Sequence, residues 1–246
     1  MIMSTIAHNM QAVDASIVAA ANAAGRSRAD VQLLAVSKTF PAEAVLEAIA
    51  AGQLAFGENY LQEGIDKIAS VAQALPGVAV EWHFIGPIQS NKTRPIAASF
   101  DWVHTVERLK IAQRLSEQRP PELGPLNICL QVNISGELSK SGVTPDELPA
   151  LARQVALLPN LRLRGLMAIP EPETEFEKQR AAFRALRMLA QQLHAQGLAL
   201  DTLSMGMSAD LRAAIFEGAT IVRVGSAIFG SRTYNCLLYT SPSPRD

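Results

Sequence analysis

Lys38 closes an apolar run, Leu33-Leu34-Ala35-Val36-Ser37, near the start of the chain. A lysine at the rim of an apolar interior is desolvated. That lowers its pKa and frees a neutral amine able to form a Schiff base with a carbonyl. The alternative is a lysine whose stem lies along a strand end while its ammonium stays in water. Two later segments are rich in glycine and serine: Ser204, Gly206 and Ser208 in one, Gly225 and Ser226 in the other. Backbone amides beside small side chains, opening onto a helix start, suit a dianion such as a phosphate. Ser208 equally reads as the N-cap of a helix over 209–217. Arg223 lies inside the apolar run IVRVGSAIF, where a guanidinium is costly unless bound or paired. An Arg facing outward toward a helix carboxylate is the competing reading.

These residues need elements that bring them together. Short apolar runs rich in Val, Ile, Leu and aromatics predict strands at 31–38, 54–59, 80–86, 101–106, 126–134, 161–169, 202–206 and 221–229. The intervening stretches are long enough for crossover helices. Pro41 suits the first turn of a helix running to Ala51. Thr144-Pro145-Asp146-Glu147 and Thr174-Glu175-Phe176-Glu177 carry capping-box patterns. The later turns of the second of these helices hold Lys178, Arg180, Arg184 and Arg187, which read as a solvated face. Ile6, Met10, Val13, Ile17 and Ala21 lie on one face of a helix ahead of the first strand. Eight βα units in this length predict an α/β fold: a single (β/α)8 TIM barrel with an extra N-terminal helix. An open doubly wound sheet is the alternative, and it would separate the first and last strands.

In a barrel the working residues sit at the C-terminal ends of the strands. Closure places strand 8 beside strand 1, so a phosphate near Gly225-Ser226 comes within reach of Lys38. A lysine and a phosphate site at one mouth point to an aldehyde cofactor bearing a phosphate, pyridoxal 5'-phosphate (PLP). An arginine placed against the pyridine nitrogen keeps that nitrogen unprotonated and the ring a weak electron sink.

The chain resembles the pyridoxal-phosphate homeostasis family, whose barrel is similar to the N-terminal domain of alanine racemase. The resemblance rests on LLAVSKT at 33–39, FGENYLQE at 56–63, WHFIGPIQSNK at 82–92, VNISGELSKSG at 132–142, RGLMAIP at 164–170, LSMGMSAD at 203–210 and VRVGSAIFGSR at 222–232. It implies that Lys38 forms the Schiff base, Asn59 lies near the ring and Arg223 faces the pyridine nitrogen. Ser204, Gly225 and Ser226 match phosphate-binding positions, and Met167 and Met205 line the pocket beside Gly206. It also implies a PLP carrier that buffers the cofactor or hands it to PLP-dependent enzymes, without strong catalytic activity. A racemase-like enzyme is the alternative reading, with Tyr60 and Lys140 as local acid/base candidates. A barrel acting on a phosphorylated metabolite without the cofactor is a third.

Composition narrows the field. The 246 residues carry a net charge of −1 and are 48% hydrophobic, which argues against disorder and against a nucleic-acid-binding or anionic-membrane surface. Two cysteines, Cys129 and Cys236, make no disulfide framework and suggest a reducing compartment, hence the cytoplasm. No apolar run reaches the roughly 18 residues of a membrane span. His8, His83, His104 and His194 lack metal-ligand spacing, and His83 reads as a hydrogen-bonded barrel residue. There is no dinucleotide or P-loop glycine motif. Residues 1–235 read as one domain and a monomer. The string from Cys236 to Asp246 reads as translated adapter or a disordered tail.

Overall fold

The computed structural model describes residues 3–138 and 140–231. The chain enters through helix α1 (Thr5–Ala23) and then alternates strand and helix. The order is β1 (Gln32–Val36), α2 (Ala42–Ala50), β2 (Ala55–Glu58), α3 (Leu61–Ala74), β3 (Glu81–Phe84), α4 (Thr93–Ser99), β4 (Trp102–Val106) and α5 (Leu109–Gln118). It continues with β5 (Leu126–Gln131), α6 (Leu148–Ala156), β6 (Leu161–Met167), α7 (Phe176–Ala195), β7 (Thr202–Ser204), α8 (Leu211–Phe216), β8 (Ile221–Val224) and α9 (Ser226–Phe229). All pairings are parallel, and the ring closes between β8 and β1, where Gln32 to Ala35 stand beside Ile221 to Val224. The expected TIM barrel with its extra N-terminal helix is the fold observed; an open sheet would lack that seam.

Strand side chains alternate between two cores. Leu33, Ala35, Phe56, Trp82, Phe84, Leu166, Val222 and Val224 pack outward against the helices. Leu34, Val36, Ala55, Ile85, Trp102, Cys129, Met167 and Ile221 fill the barrel interior. Burial on both faces explains why these strands read as continuous apolar runs. Helix α1 turns Ile6, Val13, Ile17, Ala20 and Ala21 inward and packs on α2, α8 and α9. Its Asn9 amide donates to the Ile228 carbonyl at 2.9 Å. Among the described residues no helix is long and apolar enough to cross a membrane.

Several local expectations are corrected. The run at 221–229 is half strand and half helix, because after Val224 the chain turns at Gly225 into α9. Ser208 does not cap α8, which starts at Leu211; the Asp210 carboxylate accepts from the Met207 N–H instead. Thr174 does not cap α7 either, since Glu173 takes the Thr174 and Glu175 amides. The basic face of α7 is not merely solvated: Arg180, Arg184 and Arg187 converge on Glu217, which is buried to 1% exposure. The tail at 236–246 and the boundary at 235 lie outside the described residues.

Candidate cofactor site at the barrel mouth

The nine singled-out residues fall on or just after five consecutive strands of the ring, β6, β7, β8, β1 and β2. Met167 and Ser204 end β6 and β7 as register partners, and Met205 and Gly206 follow. Arg223 lies in β8 opposite Leu34 of β1. Lys38 follows β1 in line with Leu34 and Val36, the residues that β1 turns inward. Asn59 follows β2, and Gly225 and Ser226 open α9. Met205 departs from the expectation: its side chain is buried in the outer core, whereas Met167 faces the interior. Gly206 has φ +100°, and a Cβ there would lie 2.5 Å from that of Ala214, so the close packing of α8 requires this glycine. A cavity of about 210 Å³ opens at the mouth, lined among others by Asn59, Ile85, Thr105, Gln131 and Ile169.

Arg223 is 4% exposed and points into the barrel. Its Nη1 donates to Ser204 Oγ at 2.8 Å and its Nη2 to the Ala168 carbonyl at 3.1 Å. Among the described residues no carboxylate is bonded to it. Burial lowers its pKa to about 10, with the Asp210 charge opposing, so it remains a cation at neutral pH. Ser204, fully buried, turns its hydroxyl down into the barrel toward Arg223 and His104. Asn59 Oδ1 is buried without a hydrogen-bond partner. A buried cation with neutral acceptors and an unsatisfied amide oxygen, on or just after the strands that flank the one leading to Lys38, fit a planar, hydrogen-bonding group with an anionic end such as PLP.

The segment carrying Lys38 is held from behind by groups the sequence reading missed. Lys67 of α3 donates to the Ser37 carbonyl at 2.8 Å, to Glu58 Oε1 at 2.6 Å and to Glu63 Oε1 at 3.1 Å. Ser37 Oγ donates to Glu58 at 2.7 Å, and the Thr39 N–H donates to Glu63 at 2.6 Å. Thr39 has φ 70°, an outlier for a β-branched residue. Phe40 stacks on Phe229 of α9, ring centroids 5.2 Å apart, which ties the loop across the β8–β1 seam. Burial pushes the Glu58 carboxyl up against the opposing pull of Lys67. The missed signal was helical spacing: Gly64, Lys67 and Val71 form the buried stripe of α3, and a lysine there demands a partner.

Comparison with known proteins gives the family and the fold. The family model for the N-terminal domain of alanine racemase matches residues 5–233. The pyridoxal phosphate homeostasis protein of Pseudomonas aeruginosa is 66% identical over 232 residues, covering 94% of this chain and 98% of that one. This chain belongs to the pyridoxal phosphate homeostasis protein family. Among solved structures, PipY of Synechococcus elongatus with PLP bound superposes with a TM-score of 0.79 at 38% identity, over 92% of this chain and all of PipY. Alanine racemase of Clostridium difficile shares the fold at 15% identity and TM-score 0.71, and the match covers 96% of this chain and 59% of the racemase.

Proposed function

We propose that this chain binds PLP through Lys38 and buffers or delivers the cofactor, acting as a cytoplasmic monomer that meets PLP-dependent enzymes transiently. The observation that carries the reading is Arg223, a buried cation with no carboxylate bonded to it among the described residues, beneath the mouth and beside the strand that leads to Lys38. The PLP-bound PipY and the names of the curated relatives support it. When bound, PLP supplies an aldehyde that condenses with an amine and releases water. The chain's own residues do the rest. Lys38 supplies the amine, which attacks from the β1 rim. Asn59 would offer its amide to the bound group, and Met167 would close the interior beneath it. Arg223 presents N–H donors that it does not give up, so a nitrogen facing it accepts a hydrogen bond and gains no proton. Gly206, Gly225 and Ser226 would hold the phosphate, the last two at the start of α9. Holding without activating the ring suits storage better than turnover.

The test is absorbance of the purified protein, then borohydride reduction and peptide mapping. The expected result is a visible band and one reduced adduct on Lys38. An adduct on another lysine, or none, overturns the proposal. Incubation of the loaded protein with each enantiomer of several amino acids should give no racemisation beyond that of free PLP; faster racemisation favours an enzyme.

A further inference from the structure

A line of polar groups crosses the barrel interior beneath the mouth. Glu81 Oε1 stands 2.6 Å from His83 Nε2, His83 Nδ1 stands 2.7 Å from His104 Nε2, and His104 Nδ1 stands 2.8 Å from Ser204 Oγ. Ser204 Oγ in turn accepts from Arg223 Nη1. The line runs from β3 to β4, crosses the lumen to β7 and ends on β8. His83, His104 and Ser204 are fully buried, while the Glu81 side chain is 42% exposed at the opposite end of the barrel. There a cavity of about 460 Å³ adjoins it, lined also by Gln32, Leu54 and Ala79.

With both imidazoles neutral, the form that burial favours, the two ends order every proton between them. Arg223 can only donate, so Ser204 Oγ accepts from it. Glu81 is a carboxylate, held below its usual range first by its bond to His83, and it can only accept. His83 therefore carries its proton on Nε2 and accepts at Nδ1. His104 then donates from Nε2 and accepts at Nδ1, and Ser204 donates there. Each bridge holds one hydrogen, both imidazoles are neutral, and every donor points away from Arg223 toward Glu81. Burial disfavours the imidazolium in both rings, which agrees with this arrangement.

Buried histidines are a costly filling for a barrel interior unless each nitrogen has a partner. Here the arrangement balances a buried guanidinium without seating a carboxylate on it. A carboxylate in contact would claim further N–H groups of Arg223.

We propose that Glu81, His83, His104 and Ser204 form a one-way hydrogen-bond relay that positions Arg223 and keeps it a permanent donor toward the PLP ring. The proposal rests on the reading of the mouth as a PLP site. It gives the Ser204 hydroxyl a duty under Arg223 in place of the phosphate role drawn from family resemblance, since its single proton goes to His104.

The test has one arm without cofactor and one with it. In the full-length apo protein labelled with ¹⁵N-histidine, long-range ¹H–¹⁵N correlation should show His83 and His104 neutral and protonated on Nε2. A proton on Nδ1 of either ring, or an imidazolium, overturns the relay. Glu81→Gln should shift the His104 nitrogen resonances although residue 81 does not touch His104; unmoved resonances overturn it as well. In the cofactor arm, Ser204→Ala should move the visible band of the PLP-loaded protein, and Ser204→Thr, which restores a hydroxyl, should return it toward the wild-type position. An unmoved band in Ser204→Ala, with an unchanged circular dichroism spectrum, reduces the relay to packing. Failure of the wild type to load PLP would remove the site reading and the cofactor-facing half of this proposal, while the apo tautomers would still stand or fall alone.

Discussion

Lys67, Glu58 and Glu63 matter because of what they hold. Ser37 and Thr39 flank the amine-bearing residue, and both are tethered to this cluster. Removing Lys67 leaves Glu58 buried with an uncompensated charge. Lys67→Met should therefore cost about 3–5 kcal/mol, read as a fall in Tm and in denaturation midpoint. It should also lower the fraction of Lys38 trapped by borohydride at limiting PLP. A variant with wild-type stability and loading would show the cluster to be dispensable. The pattern LLAVSK announced Lys38 because an apolar strand stopping at a lysine is visible in one dimension. Its clamp was not visible, since the partners come from the next βα unit and meet Ser37 only after packing. Cys129, the one cysteine among the described residues, offers no competing nucleophile: burial pushes its thiol up to about 12.

Element by element, the sequence located all eight strands and overran most of their ends. Apolar content continues past the last ladder bond, as at 221–229, where Ser226 to Phe229 keep a strand-like composition inside a helix. Two motif glycines owe their place to strand packing. A Cβ on Gly165 would lie 1.7 Å from the Thr202 carbonyl oxygen, and one on Gly86 would lie 2.0 Å from that of Asn59. Both targets are backbone, so neither side can yield cheaply. Gly165→Ala should part β6 from β7 and cost at least the roughly 1–3 kcal/mol typical of overpacking. Calorimetry checks this, and an unshifted transition would contradict the approach of the two strands. The grip of α7 on Glu217 has the same origin. Charge patterning along one helix showed the arginines, and only the tertiary fold supplied the carboxylate beneath them.

For the whole molecule, the barrel was legible because eight apolar runs at crossover spacing leave few alternatives, whereas the polar line through its centre was not. His83 and His104 looked like separate strand residues, and their bond depends on β3–β4 register. That interior makes stability depend on pH. Both histidines are held below 6.5, His83 by burial against the pull of Glu81 and Asp101, and His104 by burial first, with the Arg223 charge adding to it. Depressed histidine pKa values stabilise the fold above about 6.5, and the contribution drains as pH falls because the unfolded chain takes up protons the folded chain refuses. The slope reaches about 1.4 kcal/mol per pH unit for each histidine. Glu58 and Asp101, raised mainly by burial, act in the opposite sense nearer the carboxylate range. A Tm measured at about pH 7.5 and again at about pH 5.5 should fall; a flat profile would contradict neutral buried rings. The seam between β8 and β1 has a kinetic consequence. Lys38 follows β1 and Arg223 lies in β8, from opposite ends of the chain, and those strands meet only when the last docks on the first. A ligand held by both would recognise only the closed ring, so it would draw the equilibrium toward closure by mass action and slow reopening at that seam.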